Sequence, residues 1–347
     1  MAGRTRTALV VLGAIALAVG AAIWWARPPA GAASRPGIVA AEPVASAPPE
    51  RAPAVPSGSH AGAATLQPWP DLPPLDRPLR LVADELRARA DAGDPLAACR
   101  LVAEADHCDQ MQEVVGHLRQ SMKQIERVAA DQPERNRVSD DMRQRMRDTL
   151  DAREQALAHC ADVASPTAAE RVRYARQAAL AGHLPSMRHY AIGHSFRMRD
   201  IMDVLPQLEV YRREAESIAL RAAAAGDLES ALALASAYLG DLPAGGPFRP
   251  LLEQTLPENP GQALAWAQAA LAHPALASLP DTHPLRVRLD MVLSEATDRL
   301  PPDQRTPPPA AMAAGRSGPV RLSSGRGTPP FAGIARSECS DRSFLSP

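Results

Sequence analysis

The sequence predicts an all-α protein, and three observations carry that prediction. Hydrophobic residues make up 46% of the chain but aromatics only 3%. The core therefore has to be built from Ala, Leu, Val and Met, which suits closely packed helices better than sheets, where β-branched and aromatic side chains are favoured. From Leu79 to Leu300 apolar residues recur at helical spacing, and no stretch alternates convincingly as a strand would. Within that region a short pattern ending in Gly returns three times.

In chain order, residues 1–7 read as a cytoplasmic N-terminus and residues 8–26 (ALVVLGAIALAVGAAIWWA) as a transmembrane signal-anchor helix. The second segment carries no charge and makes a helix of roughly 28 Å, close to the hydrocarbon thickness of a bilayer. Arg4 and Arg6 precede it and Arg27 follows, a bias that keeps the N-terminus inside and exports the rest, with Trp24 and Trp25 at the outer interface. The competing reading is a signal peptide cleaved near Ala30-Gly31-Ala32. The long apolar run and the Trp pair favour retention, and both readings export the domain. Residues 27–78, dominated by Pro, Ala, Gly and Ser, bury too little apolar surface to fold and read as a disordered linker. The tail, residues 301–347, reads as disordered for the same reason.

Between them, residues 79–300 form the expected helical domain. Residues 109–163 read as an inserted antiparallel hairpin. Met111, Val115, Leu118, Met122 and Ile125 fall on one stripe, and Met142, Met146, Leu150 and Leu157 fall on another. Asp131-Gln132-Pro133-Glu134-Arg135 supplies the turn. Cys108 and Cys160 lie 26 residues either side of Glu134, so folding at the turn brings both to the open end and predicts a disulfide, as expected in an oxidising compartment. A Cys99–Cys108 link is the rival, and requires a helix break near Asp106. His107-Cys108 and His159-Cys160 also suggest a zinc site, but neighbouring residues on a helix point about 100° apart and chelate poorly. Cys99 reads as a buried apolar residue and Cys339 as a cysteine of the tail.

The recurring pattern is Leu86 to Gly93-Asp94, Ala175 to Gly182-His183, and Ala219 to Gly226-Asp227. Each Gly is followed five and eight positions later by a core residue: Ala98 and Leu101, Met187 and Tyr190, Ala231 and Leu234. An Ala-rich helix ending at a left-handed Gly, with Asp94 or Asp227 capping the next, makes each unit a helix-turn-helix. Gly182 and Gly226 are 44 residues apart and Gly93 lies 89 before Gly182, periods in the range of helical solenoids.

Ala178-Ala179-Leu180-Ala181-Gly182-His183 and Ala222-Ala223-Ala224-Ala225-Gly226-Asp227, with Tyr238-Leu239-Gly240, resemble the Sel1-like branch of the tetratricopeptide superfamily over about 80 residues. Ala265-Trp266-Ala267-Gln268-Ala269-Ala270 looks like the start of a fourth unit in which His273 replaces the turn Gly. The resemblance implies a Sel1/TPR-like helical-repeat domain that binds a protein or peptide in a groove between its helices.

The formal net charge of -1 provides no field for nucleic acid. His189 and His194 are five apart and lack the i, i+4 spacing of a zincin pair, and no H-E-x-x-H, G-x-S-x-G or Gly-rich phosphate loop occurs. No catalytic, cofactor or metal residue is assigned. The expected function is a non-catalytic, membrane-anchored interaction protein whose domain is extracytoplasmic. The alternative is an exported enzyme or cell-wall-binding protein with a site built from scattered residues. If the anchor is retained, the intact protein should pellet with membranes and resist carbonate extraction. A soluble mature chain beginning near Ala33 would reject it.

Overall fold

Three glycines set the geometry of the domain. Gly93, Gly182 and Gly226 have φ of 104°, 83° and 94°, the left-handed region that the repeated pattern requires. The same two hydrogen bonds close each turn. Gly93 N donates to Ala90 O and Asp94 N to Arg89 O, Gly182 N to Ala179 O and His183 N to Ala178 O, and Gly226 N to Ala223 O and Asp227 N to Ala222 O, all at 2.9 to 3.1 Å. These bonds use carbonyls that a helix end would otherwise leave without partners. The next helix is capped at once in two of the three units: Asp94 Oδ1 accepts from Leu96 N at 2.9 Å and Asp227 Oδ1 from Ser230 N at 2.8 Å. In the second unit His183 makes no side-chain cap bond, and its Nδ1 pairs instead with Ser186 Oγ at 2.8 Å.

The computed structural model describes residues 69–131, 140–240, 249–277, 279–306, 310, 312 and 333–345. The expected membrane segment 8–26, the residues before it and the Pro-rich stretch up to residue 68 lie outside the described residues, as does the hairpin turn at 132–139. Among the described residues no helix is long and apolar enough to cross a membrane.

Among the described residues eleven α-helices follow one another: α1 (Ala83–Asp91), α2 (Pro95–Asp131), α3 (Asp140–Leu157), α4 (Ala168–Leu180), α5 (Leu184–Ile192), α6 (Leu205–Ala224), α7 (Leu228–Leu239), α8 (Leu251–Thr255), α9 (Pro260–Leu271), α10 (Pro274–Ala277) and α11 (Pro284–Arg299). No named strand occurs among the described residues, so the all-α class holds there. Each turn glycine joins one pair, α1 to α2, α4 to α5 and α6 to α7, and the two helices of each pair pack on each other. The core residues after each glycine, Ala98 and Leu101, Met187 and Tyr190, Ala231 and Leu234, are all buried. Start signals are local too. Thr167 begins α4 with a capping box, its Oγ1 accepting from Glu170 N while Glu170 accepts from Thr167 N.

Alanines line the helix crossings. Ala175, Ala178, Ala179, Ala215, Ala219, Ala222 and Ala223 are fully buried, and without long side chains between them the helix backbones approach closely. The four tyrosines of the chain then tie one helix to another through their hydroxyls. Tyr174 of α4 donates to Asp91 of α1 (3.0 Å), Tyr190 of α5 to Glu214 of α6 (2.7 Å), Tyr211 of α6 to the Ala191 carbonyl of α5 (2.7 Å), and Tyr238 of α7 to Glu216 of α6 (2.6 Å). Tyr190, Tyr211 and Phe196 also meet edge to face or tilted, with ring centroids 4.9 to 6.2 Å apart.

Four expectations need correction. The first arm of the hairpin is not a separate helix. α2 runs unbroken for 37 residues, its first part in the core and its last part in the arm, and nothing in Asp106-His107 interrupts the helical ladder. α3 packs on it, yet no residue of α3 is buried and Met142 is 45% exposed, because one helix alone covers only one side of another. The linker ends earlier than residue 78: Arg89 donates to the carbonyls of Pro70 (2.6 Å) and Asp71 (3.0 Å), fixing residues 69–78 against the domain. The reading of 301–347 as disordered fails for residues 333–345, which bury Ile334, Ala335 and Cys339 against the domain. Finally, the fourth unit has no left-handed turn. α9 ends at Leu271 with Ala272 still right-handed, and His273 Nδ1 accepts from Ala275 N at 3.2 Å to begin the short α10 instead.

An added Cβ at Gly93 would meet no atom within 4 Å, so substitution there tests the backbone alone. Gly93→Ala should destabilise the domain by about 1 kcal/mol and Gly93→Asn by less, read from urea unfolding. A neutral or stabilising Gly93→Ala would contradict the left-handed turn.

Candidate functional site

Residues 333–345, hereafter the strap, carry few apolar side chains, so their position is set by covalent and charged groups. Cys339 is bonded to Cys99 of α2, with Cα atoms 5.5 Å apart and 240 residues of chain between them. Upstream, Arg336 Nη1 reaches Glu104 Oε2 at 3.3 Å and His159 Nε2 at 2.9 Å. Glu104 is itself buried and accepts from Arg100 Nε at 2.6 Å. Burial penalises the Glu104 carboxylate, but Arg100, Arg336 and His159 outweigh that penalty and hold its pKa below the ordinary value.

Downstream, Glu338 faces Arg188 of α5 at 3.4 Å, where Arg188 already pairs with Asp227 and Glu229 at 3.0 Å each. Burial opposes the guanidinium charge, yet the three carboxylates prevail and raise its pKa. The Glu338 carbonyl lies 3.3 Å from His183 Nε2, Phe344 meets the His183 ring edge-on, and Leu345 forms an antiparallel bridge with His183. Arg342 reaches back to Trp69 and Asp71. The strap thus crosses α2 and α5, the second helices of the first two units.

Ile334 and Ala335 are buried against the domain, and the Cys99–Cys339 bond ties the strap covalently to α2.

Beside the strap lies a cleft of about 820 Å³. Asp106, His107, Asp109 and Glu113 of α2 form one wall, His189, His194 and Arg197–Arg199 the other, and Gly333–Ser337 of the strap the edge. Arg197 bridges the walls, its Nη2 donating to Asp106 Oδ1 at 2.6 Å and its Nη1 meeting Asp109. Arg199 adds a second contact to Asp109 at 3.1 Å. Burial raises the Asp106 pKa despite the Arg197 hydrogen bond. His189 and His194 stack with centroids 5.6 Å apart, and burial lowers both to a pKa of about 3. His189 stands 3.6 Å from Asp106 Oδ2, and neither of its ring nitrogens makes a hydrogen bond.

The cysteines singled out by the sequence meet: Cys108 and Cys160 are bonded, with Cα atoms 5.7 Å apart. Their histidine neighbours diverge in role. The rings of His107 and His159 are 6.3 Å apart and edge-on, His159 binds Glu104, and His107 faces the cleft. With both sulfurs in the bond no Cys₂His₂ set remains, and no metal-holding group of three or more ligands occurs among the described residues. Sequence reasoning assigned no role to Arg188, Arg197 or Arg336, and placed Cys99 and Cys339 without partners. Comparison with protein-family models, with curated proteins and with solved structures finds no match for this chain.

His183, His189 and His194 have pKa values of about 4, 3 and 3 in the fold, against about 6.5 when unfolded. The unfolded chain therefore binds more protons below pH 6.5, and stability present above that pH is lost as the pH falls toward 3. By pH 5 each histidine should cost on the order of 2 kcal/mol. The melting temperature should drop between pH 7 and 5, less steeply in His189→Asn. A flat profile would show that these rings are not buried neutral.

Proposed function

We propose that the chain is a non-catalytic, exported helical-repeat protein of Sel1-like type, held at the inner membrane by its N-terminal helix, which binds a protein or peptide segment across its second helices. The observation that carries this reading is the seating of the strap. A short, irregular piece of polypeptide lies across α2 and α5 and is met there by acidic, basic and backbone-recognising groups. A surface that holds one such segment has the chemistry to hold another.

Two further observations support it. The glycine turns repeat with the same hydrogen bonds in three units, as the resemblance implies. Both cysteine pairs are bonded, which suits an oxidising compartment outside the cytoplasm. The catalytic alternative has less support, since histidines with pKa values of about 3 are poor proton acceptors at neutral pH.

Photoreactive residues placed at Gln110 and Met198, both at the cleft, test the reading in cells. Irradiation should give discrete protein adducts from these two positions and none from Met291 on α11, which is also exposed. Absence of adducts at the cleft, or turnover of a peptide or cell-wall substrate by the purified protein, would overturn it.

A further inference from the structure

The strap presents its charged groups in a fixed order. Arg336 reaches the Glu104 carboxylate beside the His159 ring, and Glu338, two positions on, faces Arg188. The receiving groups belong to the helices. Glu104 Oε1 is taken by Arg100 while its Oε2 faces Arg336, and Arg188 Nη1 and Nε are taken by Asp227 and Glu229 while its Nη2 faces Glu338. One site thus turns an acceptor and its neighbour a donor toward the segment lying there, and such complementarity selects partners more than it adds affinity. Between them, His183 addresses the main chain of whatever lies there.

Covalent attachment changes what this arrangement does. A segment joined to its own receiving surface competes at a very high effective concentration, and a free ligand cannot displace it while the bond is intact. Beyond the bond, the strap's end is held by Arg342 on Trp69 and Asp71, by Phe344 on the His183 ring and by the Leu345–His183 bridge; the Arg342–Asp71 pair is exposed, and pairs of this kind contribute little. Opening from that end would give a reductant its route to the buried Cys339 sulfur.

Resting on the peptide-binding reading above, we infer that the strap is the site's built-in occupant, that the free ligand is a peptide segment carrying a basic residue two positions before an acidic one, and that reduction of Cys99–Cys339 by a dithiol opens the site to it. In that step a donor thiolate attacks one sulfur of the bond and forms a mixed disulfide, while the other cysteine leaves as thiolate and takes up a proton. The second donor thiol then displaces the chain's sulfur. Two cysteine thiols remain on the protein and the donor ends as a disulfide.

The probe is a fluorescein-labelled peptide of residues 333–345 with Cys339→Ala, titrated by anisotropy into full-length oxidised protein and into its Cys99→Ala/Cys339→Ala form. Alanine suits these buried positions, where serine would place a hydroxyl without a partner. Hydrogen exchange of the strap amides is followed in parallel. The alanine form should bind the peptide at least about tenfold more tightly than the oxidised protein, with faster strap exchange. Peptides carrying Arg336→Glu or Glu338→Arg should lose that binding. Should the paired alanines unfold the helices, as circular dichroism would reveal, wild-type protein in dithiothreitol serves instead, sampled when alkylation shows Cys99–Cys339 open and Cys108–Cys160 closed.

Equal binding to both forms, or strap amides equally protected in both, would overturn the redox gate. Binding indifferent to the two charge reversals would overturn the assigned ligand chemistry. No binding despite a freely exchanging strap would overturn the strap's identity as occupant. Crosslinks at Gln110 and Met198 made in the Cys99→Ala/Cys339→Ala form, where the strap is not bonded, judge the broader peptide-binding reading separately.

Discussion

The close approach of alanine-lined helices is the constraint on which the rest of the structure depends. Small side chains at the crossings contribute little burial individually, so stability has to come from many short contacts and from backbones brought near one another. That proximity fixes what the turns must do. A helix pair packed so tightly leaves no room for a wide loop, and the left-handed glycines at 93, 182 and 226 reverse the chain in the fewest residues. The tyrosine hydroxyls are placed by the same constraint, since each reaches a neighbouring helix only because the axes are close.

A core of this kind leaves charged groups near the interior, and the protein keeps them in closed networks. Arg100 and Glu104 are both buried, and Arg188 lies half-buried among its carboxylates. Removing one partner from such a pair leaves an uncompensated charge, which costs far more than the intact pair contributes. The strap completes two of these networks. Its charges are therefore matched to groups that the domain had already oriented, and this is why a segment so poor in apolar residues occupies one defined position.

Much of the fold was legible because it is written locally. Gly-Asp and Gly-His after alanine-rich helices specify a turn, and in the two Gly-Asp units a cap as well, and the apolar residues five and eight positions on need only helical periodicity to be placed in the core. The Cys108–Cys160 pairing was legible from symmetry about a proline-marked turn. The continuity of α2 was not, since the core part and the arm part have different apolar faces and read as two elements. The strap was missed because Ile334, Ala335 and Phe344 are too few to show a period; its anchor is a bond to a residue 240 positions away. One signal was available: four cysteines in a chain whose N-terminus reads as an export signal, with one pair assigned, leave Cys99 and Cys339 for each other. The cleft is assembled from α2, the α5–α6 connection and the strap, so its arginines belong to no common motif.

The closeness of the domain's two described ends has a mechanical consequence. Arg342 meets Trp69 and Asp71, and Cys339 is joined to Cys99, so the chain leaves almost where it enters. A pull applied between residue 69 and residue 345 is carried by the short stretches flanking one sulfur–sulfur bond, and the helices from α4 to α11 hang outside that load path. Tension along the chain would strain the first turns of the domain and leave the remaining helices slack, so the fold behaves under force as a buckle and not as a spring.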